Sequence, residues 1–281
     1  GANGQLGSDI SSTLKENGYA VMDITHQDLD VINATDVERL FTDEKPDIVI
    51  NTSAYHNVML CEENPELSMK VNAAAPEFMS ALLKKSGSKF IHFSTDYVFD
   101  GNTSNPYTET DAAAPLNEYG KSKLLGEQQI LAANNEAVVM RVSGIYGSNP
   151  CRAKNGLNFV QLMLKLAREK GEVKVVTDEI VSPTYTKNIA QQVTKILDSD
   201  ISGIVHATSE GSCSWNEFAK EIFDYTKTPI KLFDSLSTDN PPVVKRPNYS
   251  VLENAKLKEK GINVMLHWKD ALHQYLDDVI N

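Results

Sequence analysis

Three glycines spaced as Gly1-x-x-Gly4-x-x-Gly7, opening a helical pattern over Gln5 to Asn17, constrain the fold of this chain more than any other feature. Glycine permits a tight turn and close backbone approach, and the amides at the start of the following helix point at an anion such as a pyrophosphate. Gly1, Asn3, Gly4, Gln5, Leu6 and Gly7 are therefore expected to hold a dinucleotide. In a doubly wound sheet such a loop leaves a central strand, and here nothing precedes Gly1. Either upstream residues of the biological protein supply that strand, which is the expectation, or the fold lacks its middle strand.

Downstream, short apolar runs alternate with amphipathic stretches. Tyr19–Met22, Asp47–Ile50, Phe90–Phe93, Val138–Arg141 and Val173–Val176 read as strands. Val37–Phe41, Pro65–Lys85, Glu118–Asn134 and Asn158–Glu169 read as helices. This alternation builds a parallel sheet with helices on both faces. The fold class is α/β, a Rossmann-like doubly wound parallel sheet with a smaller C-terminal substrate-binding lobe. Residues 1–145 are assigned to the dinucleotide-binding domain, rejoined by a strand near 173–177, and 146–172 with 178–281 mainly to the lobe. Within the lobe, Ser214 with Glu217 three residues on marks a helix start, and Trp268–Val279 reads as a further helix.

The chemistry is carried by Tyr119-Gly-Lys-Ser-Lys123 and Ser94-Thr95-Asp96. Tyr119 and Lys123 stand at i and i+4 on one helical face, and Thr95 at the end of a buried strand, where parallel sheets bind ligands. Reduction of a carbonyl by a nicotinamide leaves negative charge on oxygen, so a proton and hydrogen-bond donors are needed there. Tyr119 is expected to supply the proton, with the Lys123 cation favouring its phenolate, and Thr95 to hydrogen-bond the carbonyl oxygen. A lone Tyr-x-x-x-Lys is common by chance; the order glycine loop, Asn51 at a strand end, Ser94-Thr95, then Tyr119 and Lys123 is not.

With 281 residues and a net charge of −11, the chain can bury a large core, and its charge argues against nonspecific nucleic-acid binding. No apolar run approaches membrane-spanning length. Cys61, Cys151 and Cys213 lack C-x-x-C pairing and read as reduced thiols of a cytoplasmic protein; the six histidines show no metal-ligand spacing. His56 and His92 read as packed or surface residues.

Ser94-Thr95-Asp96-Tyr97-Val98-Phe99-Asp100-Gly101, the Tyr119 motif, Ser182-Pro-Thr-Tyr185, Ser214-Trp215 with Phe218, and Lys245-Arg-Pro-Asn-Tyr-Ser250 extend this reading over most of the chain. In these motifs the sequence resembles the dTDP-4-dehydrorhamnose reductases, extended short-chain dehydrogenases. The resemblance implies reduction of a nucleotide-linked 4-keto-6-deoxyhexose, with Thr95, Tyr119 and Lys123 as the catalytic set. It places Asp96, Tyr97, Ser143, Asn158 and Arg246 at the substrate, and Asn51, Ser53, Ala54, Tyr55 and Ser94 along the cofactor, with Asn72 in support. It also implies a homodimer; a magnesium ion is not readable from the residues.

NADPH and NADH are both admitted as cofactor. Asp23 ends the second strand with no cation in Ile24-Thr25-His26-Gln27, which leans towards NADH, and Asp28-Leu29 would flank the adenine. Asp96-Tyr97 stands where 4,6-dehydratases carry Asp-Glu, which disfavours elimination. A sugar-nucleotide epimerase stays open, because the same triad serves it. So does a non-catalytic subunit resembling the regulatory subunit of methionine adenosyltransferase. The chain departs from the family pattern at Gly144, where a tryptophan near the sugar is usual, at Met59-Leu60 and at Asp178-Glu179. Its Asn149–Asn155 run is longer and more basic, with Arg152 and Lys154 in reach of a diphosphate or simply solvated.

Overall fold

The computed structural model describes residues 1–150, 156–239 and 241–280. The elements run α1 (Gln5–Glu16), α2 (Ala34–Glu44), β1 (Ile48–Asn51), α3 (Val58–Glu63), α4 (Pro65–Met69), a π turn (Lys70–Ala74), α5 (Ala75–Ser86) and β2 (Lys89–Thr95). A 3-10 turn (Asp96–Val98), α6 (Glu118–Ala133), β3 (Val138–Val142), β4 (Ile145–Tyr146), α7 (Phe159–Lys170), β5 (Glu172–Val176), β6 (Ile180–Val181) and β7 (Thr184–Tyr185) follow. Last come α8 (Thr186–Leu197), β8 (Gly203–His206), β9 (Cys213–Ser214), α9 (Trp215–Thr226), β10 (Lys231–Ser235), α10 (Ala255–Glu259) and α11 (Trp268–Ile280).

β1, β2, β3 and β8 form one parallel sheet in that order. Alternate side chains of a strand face opposite ways, and both faces here are apolar. Ile91, Phe93, Val138, Met140 and Val205 pack with Leu6, Ile10 and Leu14 of α1 and Ile189, Val193 and Ile196 of α8. Phe90 and Val139 pack on the other face with Val37 of α2, Met79 and Leu83 of α5 and Ile130 of α6. The sheet is therefore covered on both sides, as a doubly wound fold requires. A separate core joins Val160 and Met163 of α7, Phe218 and Ile222 of α9, and Leu272, Tyr275 and Leu276 of α11 around Tyr146 and Tyr185. The Ser214–Glu217 capping box opens α9 as its sequence indicates.

Three expectations need correction. Val173–Val176 does form a strand, but β5 pairs in parallel with β10 and not with the main sheet. Val175 packs into the lobe core, and the place beside β3 belongs to β8, which starts where Gly203 N donates to Ala137 O at 2.7 Å. With α8 packed on the α1 face, residues 186–206 therefore belong to the sheet rather than to the lobe. Tyr19–Met22 is not a strand: the segment lies against the sheet core without a ladder partner among the described residues. Between it and β1 runs a groove of about 680 Å³ lined by Val21, Ile24, Ile48 and Ile50. The long Pro65–Lys85 helix is interrupted by the π turn, in which Asn72 is fully buried.

His206, at the end of β8, shows how burial couples the fold to pH. Its Nδ1 faces the Tyr107 and Glu253 carbonyls, both at 3.1 Å, so Nδ1 carries the proton and Nε2 faces Arg141 Nη1 at 3.4 Å. Burial first, and the Arg141 charge second, push its pKa down from 6.5 to about 3. The unfolded chain then binds more protons between those values, so this contribution is complete above pH 6.5 and is lost as pH falls towards 3. Urea unfolding at pH 4.5 and 5.5 is expected to show a slope of about 1.4 kcal/mol per pH unit from this group. His206→Gln should flatten the slope by that amount, and an unchanged slope would count against a buried neutral His206.

Candidate active site

The strand end, one turn and one helix bring the reactive groups together. At the close of β2, Thr95 Oγ1 accepts from Tyr97 N at 3.2 Å and donates to Asp96 Oδ1 at 3.0 Å, which fixes the 3-10 turn. α6 starts at the Asn117 cap, whose Oδ1 accepts from Gly120 N at 2.8 Å. Two glycines let this helix approach closely: a β-carbon on Gly120 would collide with the Tyr97 carbonyl, and one on Gly126 with the Asn72 carbonyl. Tyr119 is thereby set edge-on to Tyr97, with ring centres 5.8 Å apart, and next to Thr95. One turn later Lys123 is buried, its Nζ 2.6 Å from Phe93 O and 3.0 Å from His92 Nε2.

Burial raises the Tyr119 phenol well above its ordinary value, although the Thr95 hydroxyl pulls the other way. Burial also lowers Lys123 to about 8, with Glu127 opposing. The resting site therefore holds Tyr119 as a phenol, while Lys123, at about 8, keeps its charge through neutral pH. Asp96 is buried and its pKa is raised by desolvation, against hydrogen bonds from Ser250, Ser143 and Thr95; the Ser143 Oγ bond measures 2.9 Å.

The glycine loop fits a dinucleotide. No side chain caps the first turn of α1 and no acidic residue stands in it, so its amides are left for an anion. A β-carbon on Gly7 would strike the Gly1 carbonyl, so the cradle admits only glycine there. Gln5 Nε2 is held by the Gly147 and Asn149 carbonyls at 3.2 Å, and the Leu6 side chain lies in the core; these two residues offer backbone amides only. Asn3 is exposed at the loop. Buried Ser94 Oγ has no hydrogen-bond partner among the described residues, a free donor at the end of β2. Across the sheet, Asn51 Oδ1 accepts from Ser53 N at 3.0 Å. Asn72 clamps Tyr55, accepting from its N at 2.8 Å and donating to its O at 2.9 Å, with Ala54 between the two fixed residues. Gly7→Ala is expected to raise the dissociation constant for NADH and NADPH by at least tenfold, measured by nucleotide fluorescence titration, because the loop must shift to make room for the β-carbon.

The family model described as RmlD substrate binding domain matches residues 1–281. The chain belongs to the dTDP-4-dehydrorhamnose reductase family. It is similar to the spore coat polysaccharide biosynthesis protein SpsK of Bacillus subtilis, 37% identical over 99% of this chain and 95% of that one. It is also similar to a dTDP-4-dehydrorhamnose reductase of Mycobacterium tuberculosis, 34% identical over 97% and 89%. Among solved structures, the Clostridium acetobutylicum reductase superposes with a TM-score of 0.94 at 38% identity, covering 100% of this chain and 98% of that one. The Bacillus anthracis reductase in complex with NADP superposes with a TM-score of 0.93 at 32% identity, covering 99% and 97%.

With the family established, the remaining site residues can be placed. Asn158 does not reach out to a sugar: its two N–H donors go to Gly147 O at 2.8 Å and Tyr275 OH at 2.9 Å, and its Oδ1 caps α7. Ser143 is buried and spends its hydroxyl on Asp96, so it orients that carboxylate. Arg246 is exposed; burial raises Tyr97 and Glu179, and Arg246 offsets this in both, which puts its guanidinium beside them. Asp23 is paired with Lys15 of α1 at 2.5 Å, and the loop instead meets the neighbouring residue, Ala2 N donating to Ile24 O at 3.1 Å. Asp28 accepts from Thr25 N and Oγ1 at 2.8 and 2.6 Å, and Leu29 packs on the core beneath α2.

Gly144, with φ +53°, stands where the family tryptophan was expected. Trp215 of the lobe lies beside it, its Cη2 3.5 Å from where a β-carbon on Gly144 would be, backed by Phe159 at 4.6 Å between ring centres. Met59 lines an open pocket with Leu116, Val243 and Lys245. Arg152, Lys154 and Cys151 lie outside the described residues. Among the described residues no group of three or more His, Cys, Asp or Glu is arranged to hold a metal ion, and no helix is long and apolar enough to cross a membrane. Sequence reasoning gave His92 no role beyond packing or the surface and passed over the Glu127–Arg141 pair. The available signal was a lone histidine in the apolar strand Phe90-Ile91-His92-Phe93.

Proposed function

We propose that the protein reduces the C4 ketone of a nucleotide-linked 4-keto-6-deoxyhexose with NAD(P)H. The observation that carries this is the Tyr119 phenol set beside Thr95 at the end of β2, with buried Lys123 one turn behind it. The dinucleotide would be held by the first-turn amides of α1, by Ser94 and by the Ser53–Tyr55 segment, and it supplies hydride when bound. Tyr119 offers its hydroxyl to the ketone oxygen and gives its proton as charge develops there, and Thr95 joins it by turning its one hydrogen from Asp96 Oδ1 to that oxygen. Asp96, fixed by Ser143, holds Thr95 in place. Trp215 forms the apolar wall over Gly144 that the sugar ring packs against, and Arg246 faces the diphosphate.

Either nicotinamide serves in this reading. The relative from Bacillus anthracis was solved with NADP. The lean towards NADH lost its first support when Asp23 proved to be paired with Lys15, leaving Asp28 as the acid for ribose hydroxyls. The test is oxidation of NADH and NADPH against a panel of nucleotide-linked 4-keto-6-deoxyhexoses. Turnover of one member names the substrate. Tight dinucleotide binding without turnover of any member would overturn the reading in favour of a binding role.

A further inference from the structure

The loop that carries Arg246 is anchored at both ends. Lys245 O accepts from Asn117 Nδ2, at the cap of α6, at 2.9 Å, and Asn248 O accepts from Ile180 N of β6 at 2.8 Å. Arg246 is thereby carried across from the start of the Tyr119 helix to the strand that Glu179 precedes. On its other flank, Glu179 O accepts from Trp215 N at 3.3 Å. Glu179 is half-buried and Arg246 is exposed. Burial pushes the Glu179 carboxyl above its ordinary value, and the Arg246 charge is the first influence to oppose this. The neighbouring Asp178 is spent on Ser237, accepting from its N at 2.8 Å and its Oγ at 2.7 Å. We propose that Glu179 competes with the diphosphate of the nucleotide sugar for Arg246 and so weakens the hold of the site on its anion.

This rests on the reading that Arg246 faces the diphosphate. In the empty site the guanidinium offsets a half-buried carboxylate. An arriving diphosphate draws the guanidinium to itself, leaves Glu179 with less compensation and brings further negative charge near it. Trp215 and Tyr97, the other side chains beside Glu179, are neutral and cannot replace that charge. The ketone and the alcohol carry the same diphosphate, so an acid that loosens it acts on substrate and product alike. Glu179 is one of the positions at which this chain departs from the family pattern, and an uncharged side chain of the same shape there would leave Arg246 wholly to the ligand.

The test is calorimetric titration of thymidine diphosphate and of uridine diphosphate into the intact chain saturated with NADP, which needs no turnover. Glu179→Gln keeps the shape and removes the charge, and should tighten the better-bound diphosphate by about three- to tenfold. Arg246→Gln should weaken binding, and in that background Glu179→Gln should change it by less than about twofold, because the two effects run through one guanidinium. A residue that only supports the fold weakens binding when it is replaced, so unchanged or weaker binding in Glu179→Gln overturns the proposal. An equal gain in both backgrounds overturns it too, since the carboxylate would then repel the anion without Arg246. A parent chain that binds NADP but neither diphosphate would sink the nucleotide-sugar reading, and the proposal with it.

Discussion

Tyr119→Phe is expected to lower kcat for the keto sugar by roughly 10²–10⁴-fold, the usual contribution of a positioned general acid. The substitution removes one oxygen and keeps the ring, so the edge contact with Tyr97 survives. Thr95 keeps its contacts with Asp96 Oδ1 and Tyr97 N, and loss of the phenol leaves the ketone oxygen with no proton source. The dinucleotide cradle lies at the start of α1 and at Ser53–Tyr55, away from the phenol, so binding of NADPH should be unchanged. Stopped-flow single turnover with parallel fluorescence titration separates the two quantities. A variant that keeps kcat within threefold would transfer the proton-donor role to another group, with buried Asp96 the next to test.

The largest stability effect is expected at Glu127. Its carboxylate grips Arg141 through two bonds, and the two side chains are 2% and 5% exposed. Glu127→Ala strands the guanidinium with the Phe99 ring, 5.0 Å to its centre, and His206 Nε2 at 3.4 Å. Breaking a buried pair by removing one partner costs about 3–5 kcal/mol, because the remaining charge is buried without compensation. Urea denaturation should register that loss. Glu66→Gln, which opens the exposed Lys70–Glu66 pair, should change stability by less than about 1 kcal/mol. A Glu127→Ala loss as small as the control's would mean that water reaches Arg141.

The sequence announced those parts of the fold that depend on local pattern. The apolar runs at Phe90 and Val138 and the Glu118 and Ser214 helix starts signalled their elements within a residue or two, because strand burial and helix patterning act over a few positions. Pairing is a long-range choice, and Val173–Val176 looked like any other buried strand until β10 and the lobe core decided its partner. Site residues divided the same way. Tyr119, Lys123 and Thr95 were legible from spacing, since one helix and one strand end carry them. Asn158 and Ser143 lay in the right motifs, yet their hydrogen bonds are spent inside the protein. Trp215 could not be matched to the space above Gly144 without knowing that the two segments meet. Asp23 was read as a strand end because the segment looked like a strand; the loop meets the chain one residue later.

The π turn at Lys70–Ala74 sets a rule for which length changes this protein can survive. Deleting one residue there would restore an unbroken α-helix from Pro65 to Ser86 and make its local hydrogen bonding more regular. It would also rotate everything on one side of the cut by about 100°, the angle of one residue in a helix. Asn72 could then no longer hold both ends of the Tyr55 peptide, nor sit under Gly126 of α6. The wide turn thus acts as a phase adjuster between two helical stretches: point substitutions on its exposed side are tolerable, whereas a single deletion desynchronises the cofactor channel from the helix that carries Tyr119.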